Sequence, residues 1–224
     1  MLIRDGLRGV LAGLCIALGG SVFLASENKV VGAFFSSVAL LTICYFGFSL
    51  YTGKVGDLVL QHTGKDIGAL FTGLLGNAVG CVVFGTLVRF GLPALAAKAE
   101  LLSAAKLGET APEALIRSFF CGVLMYVAVW IFRNKKTVLG IFICIPVFIL
   151  SGFEHSVANM FYFATGAAYS LEALLYTLIF ILGNSLGAWV IPALMLAVEK
   201  SEEVKVKKSK IAEQFNFREE GKEE

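Results

Sequence analysis

The sequence predicts an all-α membrane protein of six transmembrane helices, built as two inverted three-helix repeats with helices two and five broken. Three observations predict it. Apolar runs of membrane-crossing length recur six times, charged residues are sparse, and short motifs of the first half return in the same order in the second. The chain is 57% hydrophobic and 16% charged, with a mean hydropathy of +0.79. Soluble domains lie nearer about 45–50% apolar and about 25% charged, so lipid is the solvent this composition suits. The net charge of +2 argues against a nucleic-acid partner.

A membrane helix needs about 20 mostly apolar residues. The runs are Gly9–Ser26, Val30–Gly53, Ile67–Val88, Ser118–Phe132, Thr137–Phe153 continuing past one charged pair to Leu171, and Ala173–Val198. The first follows Arg4 and Arg8 and is read as a membrane helix, because further spans rather than a soluble domain come after it. Arg4, Arg8, the Lys54/Lys65 loop, the Arg133–Lys136 loop and the basic tail would share one side, which the distribution of Lys and Arg makes cytoplasmic. Lys29, Arg89, Lys98, Lys106 and Arg117 lie opposite. The reading is a cytoplasmic-membrane protein with both termini inside, a transmembrane domain over residues 1–198 and a charged cytoplasmic tail over residues 199–224. The five cysteines each lie in an apolar run without metal-ligand spacing, so they read as small apolar residues. No metal or cofactor is expected.

The repeat is carried by three pairs of motifs. Arg8-Gly9-Val10-Leu11-Ala12-Gly13 opens span one, and Arg117-Ser118-Phe119-Phe120-Cys121-Gly122 opens span four. Gly47-Phe48 begins a polar interruption ending span two, and Gly152-Phe153 begins one in span five. Gly76-Asn77-Ala78-Val79-Gly80 in span three matches Gly183-Asn184-Ser185-Leu186-Gly187 in span six. The repeats cover about residues 1–97 and 106–198. With an odd number of spans in each half, the second must enter the membrane upside down relative to the first. The glycines are also expected to pack helices closely.

Glu154 and His155 stand together midway along an apolar stretch too long for one straight crossing. An ionisable group in a span costs about 2.5–3.5 kcal/mol on insertion scales. A break at Ser151-Gly152 accounts for both facts, and Ser151 with Glu154 has capping-box spacing for a second half-helix. Irregular backbone at membrane depth persists where it is buried in protein or lines a cavity. Glu154 is expected to satisfy exposed backbone N–H groups, and His155 to face the cavity. Half-helix N-termini would offer partial positive charge to an anion. Lys106 lies in the connection before span four, by position an ordinary interfacial lysine. Thr110-Ala111-Pro112-Glu113 after it is a helix start by capping box and early proline.

These residues carry a family resemblance. Gly152-Phe153-Glu154-His155-Ser156-Val157-Ala158-Asn159-Met160 resembles the most specific motif of the formate/nitrite transporter family. The Gly47–Gly53 segment resembles its span-two loop. Glu113-Ala114-Leu115-Ile116-Arg117, with Cys121 and Ala128-Val129-Trp130, is similar to its span-four motif. The resemblance implies an aquaporin-like fold, a homopentamer, one pore per protomer and passage of formate, nitrite, hydrosulfide or similar small monoacids. It makes His155 the central pore histidine, Thr52 the loop threonine that contacts it, and Leu50 and Phe148 the two apolar constrictions. Lys106 becomes the vestibule lysine that attracts anions. Ser36 stands where many members place a constriction phenylalanine, with Phe35 adjacent. Gly122, Tyr51, Phe48 and Ser49 are further departures from the pattern.

The resulting expectation is a passive channel for the anions of weak acids. Desolvation would favour protonation of the anion, with the proton taken from water or by exchange with His155. The alternatives are a proton-coupled carrier of small monocarboxylates and an aquaporin-type neutral-solute channel, although Asn-Pro is absent. An intramembrane enzyme is not expected, because no nucleophile or aspartyl pair stands out.

Overall fold

The computed structural model describes residues 2–60 and 62–220. Among them the chain is all helical, with no strand. In order come α1 (Leu2–Ala25), α2 (Lys29–Ser36), α3 (Val38–Phe46), a 3-10 turn (Val55–Val59), α4 (Gly64–Gly91), α5 (Pro93–Leu107), α6 (Ala111–Lys135), α7 (Leu139–Leu150), α8 (Ser156–Thr165) and α9 (Leu171–Glu220). Five helical stretches are long and apolar enough to cross a membrane, counting Lys29–Phe46 as one. Leu139–Leu150 is apolar but too short by itself.

The sequence reading of one element is corrected. The connection holding Lys106 is mostly a helix, α5, opened by Pro93 in its first turn, where the missing N–H costs nothing. Within the expected charged tail, α9 continues to Glu220, and residues 221–224 lie outside the described residues. The Thr110 helix start holds. The Thr110 hydroxyl accepts from the Glu113 N–H, while the Glu113 carboxylate accepts from the Thr110 N–H at 2.8 Å. Thr63 and Asp66 make the same box at the start of α4.

Two long pairs form the body, α1 against α4 and α6 against α9. In the first, Gly9 meets Gly73 and Gly76, while Gly13 meets Asn77 and Gly80, so the helices run parallel. In the second, Ser118 meets Gly183 and Phe119 meets Gly187, again in parallel. A returning segment therefore separates the paired helices within each half. Backbone approach is so close that a Cβ on Gly122 would enter the carbonyl of Asn184, and one on Gly187 the carbonyl of Phe119. In lipid, where apolar burial drives no association between helices, such close packing is what holds them.

The returning segments end alike. Gly47 closes α3 with φ 66°, and Gly152 follows α7 with φ 69°, both in the left-handed region that glycine adopts at no steric cost. Beyond each, Phe48 N–H bonds Ile43 O and Phe153 N–H bonds Phe148 O, both at 3.0 Å. This is the six-to-one bond of a Schellman terminus. Ser49 N–H then bonds Arg8 O at 3.2 Å, and Glu154 N–H bonds Arg117 O at 3.3 Å.

One buried asparagine holds each irregular segment. Asn77 Nδ2 donates to Gly9 O at 2.9 Å and Ser49 O at 2.8 Å, and its Oδ1 accepts from Tyr51 N–H at 2.9 Å. Asn184 Nδ2 donates to Ser118 O at 2.7 Å and Glu154 O at 2.9 Å, and its Oδ1 accepts from Ser156 N–H at 2.8 Å. Residues 9, 49, 51 and 77 thus correspond to 118, 154, 156 and 184, following the sequence repeat.

Two predictions follow from this packing. Gly122→Ala should lower stability by about 1–3 kcal/mol, the usual cost of overpacking, while Gly64→Ala, with open space around it, should leave it unchanged. Thermal unfolding in detergent checks the pair. Asn184→Ala should cost more than the average of about 0.6 kcal/mol for an interhelical bond in a membrane, because three backbone groups lose their partner at once; the same melting curves read it.

Candidate functional site

The two interrupted segments meet at the centre of the chain. His155 Nε2 lies 2.8 Å from Thr52 Oγ1, joining residues 103 positions apart. His155 is also the N-cap of α8, its Nδ1 accepting the Ala158 N–H at 3.0 Å. This second bond sets the first. With Nδ1 used as an acceptor, the neutral ring carries its hydrogen on Nε2 and donates it to Thr52. The ring stacks beside Phe148, with centroids 5.8 Å apart and planes at 24°.

The expected capping box of Ser151 with Glu154 does not form. Helix α8 begins at Ser156, with His155 as its cap. Glu154, expected to serve backbone N–H groups, instead accepts two side chains on Oε2: Lys106 Nζ at 2.5 Å and Asn159 Nδ2 at 2.6 Å. A carboxylate meeting an ammonium prefers that charge-assisted bond to neutral amides. Lys106 closes α5 and is itself buried, 5.9 Å from the centre of the Tyr162 ring. Its charge is therefore paired and not free. At the start of α8, Ser156 N–H is taken by Asn184 and Ala158 N–H by His155, so this end offers its dipole but not those two donors.

A cavity of about 550 Å³ opens on one side of His155, with Lys106, Glu154, Asn159, Phe148 and His155 on its wall. A second, of about 210 Å³, does not touch His155 and is lined by Leu50, Phe48, Val129, Lys54 and Arg133. Leu40 faces both. Leu40 is 2% exposed, Leu50 1% and Phe148 8%, so the residue shared by the two spaces and one apolar wall residue of each are buried. Thr52 is buried and lines neither cavity. It joins the site through His155.

Phe35 is not brought to the site. It is 58% exposed and packs edge-on against Phe34 at 5.5 Å. Ser36 turns inward instead, lining the larger cavity and donating to Gly32 O at 2.7 Å and Gly19 O at 2.9 Å. A serine bonded back to its own helix bends it, and α2 ends one residue before Ser37. Three contributors were missed by the sequence reading. Leu40 carries no signal beyond being apolar. Lys54 was read only as a loop cation, and its ammonium donates to Ser49 Oγ at 3.0 Å. Glu109, beside the Thr110 cap, reaches the wall of the larger cavity. Among the described residues no group of metal-ligating side chains occurs.

This arrangement has parallels among known proteins. The family model described as formate/nitrite transporter matches residues 4–198. The chain is 29% identical to the formate channel FocA of Haemophilus influenzae, across 71% of this chain and 65% of that protein. It is 31% identical to the nitrite transporter NirC of Salmonella typhimurium, across 89% of this chain and 84% of that one. Solved structures agree in fold. An FNT family ion channel superimposes with a TM-score of 0.73 at 26% identity, covering 88% of this chain and 89% of its own. A pentameric formate channel with formate bound gives 0.75 at 19% identity, covering 89% and 97%. These relatives are channels and transporters, not enzymes. With a family match over most of its length and a shared helical fold, the chain belongs to the formate/nitrite transporter family.

Proposed function

We propose that the chain is a passive channel for small monovalent anions of weak acids, the formate, nitrite and hydrosulfide class. The observation that carries this reading is a pair of cavities that share Leu40, one walled by Phe148 and His155 and the other by Leu50, with His155 bonded to Thr52. Six crossings follow if α7 and α8 together make the fifth and the α2–α3 stretch makes the second, both interrupted beside His155. The parallel pairs on either side of each returning segment support two inverted three-helix repeats. A homopentamer in the cytoplasmic membrane, with both termini inside, completes the proposal. Its supports are the pentameric assembly of a solved relative and the gathering of Lys54, Asp57 and Arg133 at one end, where Arg133 meets Asp57 at 2.8 Å.

An anion entering the larger cavity meets the Lys106–Glu154 pair and sheds water at Phe148. Bare charge is costly in such surroundings, and desolvation favours the protonated acid. The neutral molecule then passes the apolar side chains and ionises again in the second cavity. His155 is placed to hand its Nε2–H bond from Thr52 to the permeant. Its Nδ1 lone pair is already used in the helix cap, so it orients the permeant as a donor, and water supplies the proton. This replaces proton exchange at His155 with hydrogen-bond donation.

In proteoliposomes, formate and nitrite should flow down their own gradients and reverse when the gradient reverses. Accumulation against the formate gradient, driven by a proton gradient, would instead identify a coupled carrier. His155→Phe, which keeps the ring but not the donor, should lower formate flux by roughly tenfold, the rate equivalent of about 1.4 kcal/mol. Equal flux would exclude any role for the imidazole.

Lys106→Met should destabilise by about 3–5 kcal/mol, since it strands a buried carboxylate. The double variant Lys106→Met/Glu154→Gln should recover much of that stability while still admitting formate more slowly. Melting curves and vesicle swelling separate the two effects.

A further inference from the structure

The wall of the larger cavity holds more carboxylates than an anion path requires. Lys29, Lys106 and Arg117 face it, and so do Glu109, Glu113 and Glu154. Fully ionised, three cations meet three anions and the wall carries no net charge. Two of these carboxylates are committed. Glu154 is bound to Lys106 and Asn159, and Glu113 is bound to the Thr110 N–H and hydroxyl in the helix cap.

Glu109 is different. It sits between α5 and α6, its side chain 10% exposed. Its Oε1 accepts from Arg117 Nη1 at 3.0 Å. Its Oε2 is buried and has no hydrogen-bond partner. Its charged neighbours are Arg117 from α6, Lys106 from α5 and Glu154 from the α7–α8 connection. From α9, the Tyr176 hydroxyl donates to its backbone carbonyl and holds the residue in place. A buried carboxylate oxygen facing another carboxylate, with nothing to donate to it, is costly while ionised. One proton on Oε2 removes that cost and supplies a donor.

We propose that Glu109 is the residue that sets anion access to the larger cavity: ionised, it cancels one positive charge of the wall, and protonated, it leaves that charge to the incoming anion. The inference rests on the anion-channel reading and deepens it. When Glu109 binds its proton, the wall changes from balanced to one net positive charge, and a focused field of that sign raises the local concentration and on-rate of anions. The proton also provides an O–H that Glu154 is positioned to accept, which loosens the hold of Glu154 on Lys106. Burial, then the Glu154 charge, raises the Glu109 carboxyl above the ordinary carboxylate range, although Arg117 and Lys106 oppose this. The change therefore falls at a higher pH than for an ordinary glutamate.

The test compares formate flux through wild type and Glu109→Gln in proteoliposomes across mildly acid to neutral external pH, at constant formate anion concentration. Taking the ratio of variant to wild type cancels the effect of pH on formic acid itself. The ratio should be near one in mild acid and rise several-fold by neutral pH, because glutamine never carries the cancelling charge. Glu109→Asp should keep the pH dependence of wild type. If Glu109→Gln does not fold, Arg117→Gln serves: removing the opposing cation should move the acid activation of flux toward neutral pH. A ratio that is flat or below one at neutral pH, or an unmoved profile in Arg117→Gln, with formate flux intact, overturns the role of Glu109 and leaves the channel standing. Absence of formate flux in wild type overturns the channel reading and this inference with it.

Discussion

Everything at the centre of this chain depends on two buried asparagine side chains. Asn77 and Asn184 each serve three backbone groups of a segment that has left its helix. Inside a bilayer no water would serve those groups, and each one left alone would cost several kcal/mol. The asparagines make irregular backbone tolerable, and irregular backbone is what lets Thr52 and His155 meet. The glycines beside them are part of the same device. A side chain at Gly122 would collide with the Asn184 carbonyl, so the helix carrying the asparagine can approach only where its neighbour is bare.

On this frame the polar groups are tightly committed. His155 caps α8 with one nitrogen and reaches Thr52 with the other. Lys106 and Glu154 neutralise each other, with Asn159 as a third member. A buried ion pair adds little to stability beyond what apolar residues of equal volume would give, and this one lines the larger cavity. The site is thereby pre-organised.

Much of this was legible in the sequence, for physical reasons that can be named. Gly-Asn-x-x-Gly could be matched across the halves because asparagine is expensive in lipid unless it is bonded, and glycine is retained where backbones touch. Gly152 was readable as a break because Glu154 and His155 could not lie along a straight lipid-facing helix. The Thr110 start was readable because capping boxes are local. What was not legible depended on contacts distant in sequence or on the direction a side chain takes. Phe35 and Ser36 are neighbours, and sequence alone did not say which turns inward. The cap of α8 fell to His155 rather than Ser151, because Gly152 is left-handed and the chain is still extended at His155. Helix α5 is less apolar than the spans and passed for a loop, although Pro93 marks its start. Glu109 is an unremarkable acid until Arg117 and Glu154 are brought beside it.

The central claim is that the two interrupted segments meet around a passage for a small anion or its acid. An experimental map of the chain in a lipid nanodisc with formate present tests it most directly. The account predicts both asparagines in their three-bond arrangement and formate within hydrogen-bonding distance of His155 Nε2 or Thr52 Oγ1, between the two cavities. A map showing His155 sealed by side chains or turned toward lipid, with no formate between the cavities, would contradict it.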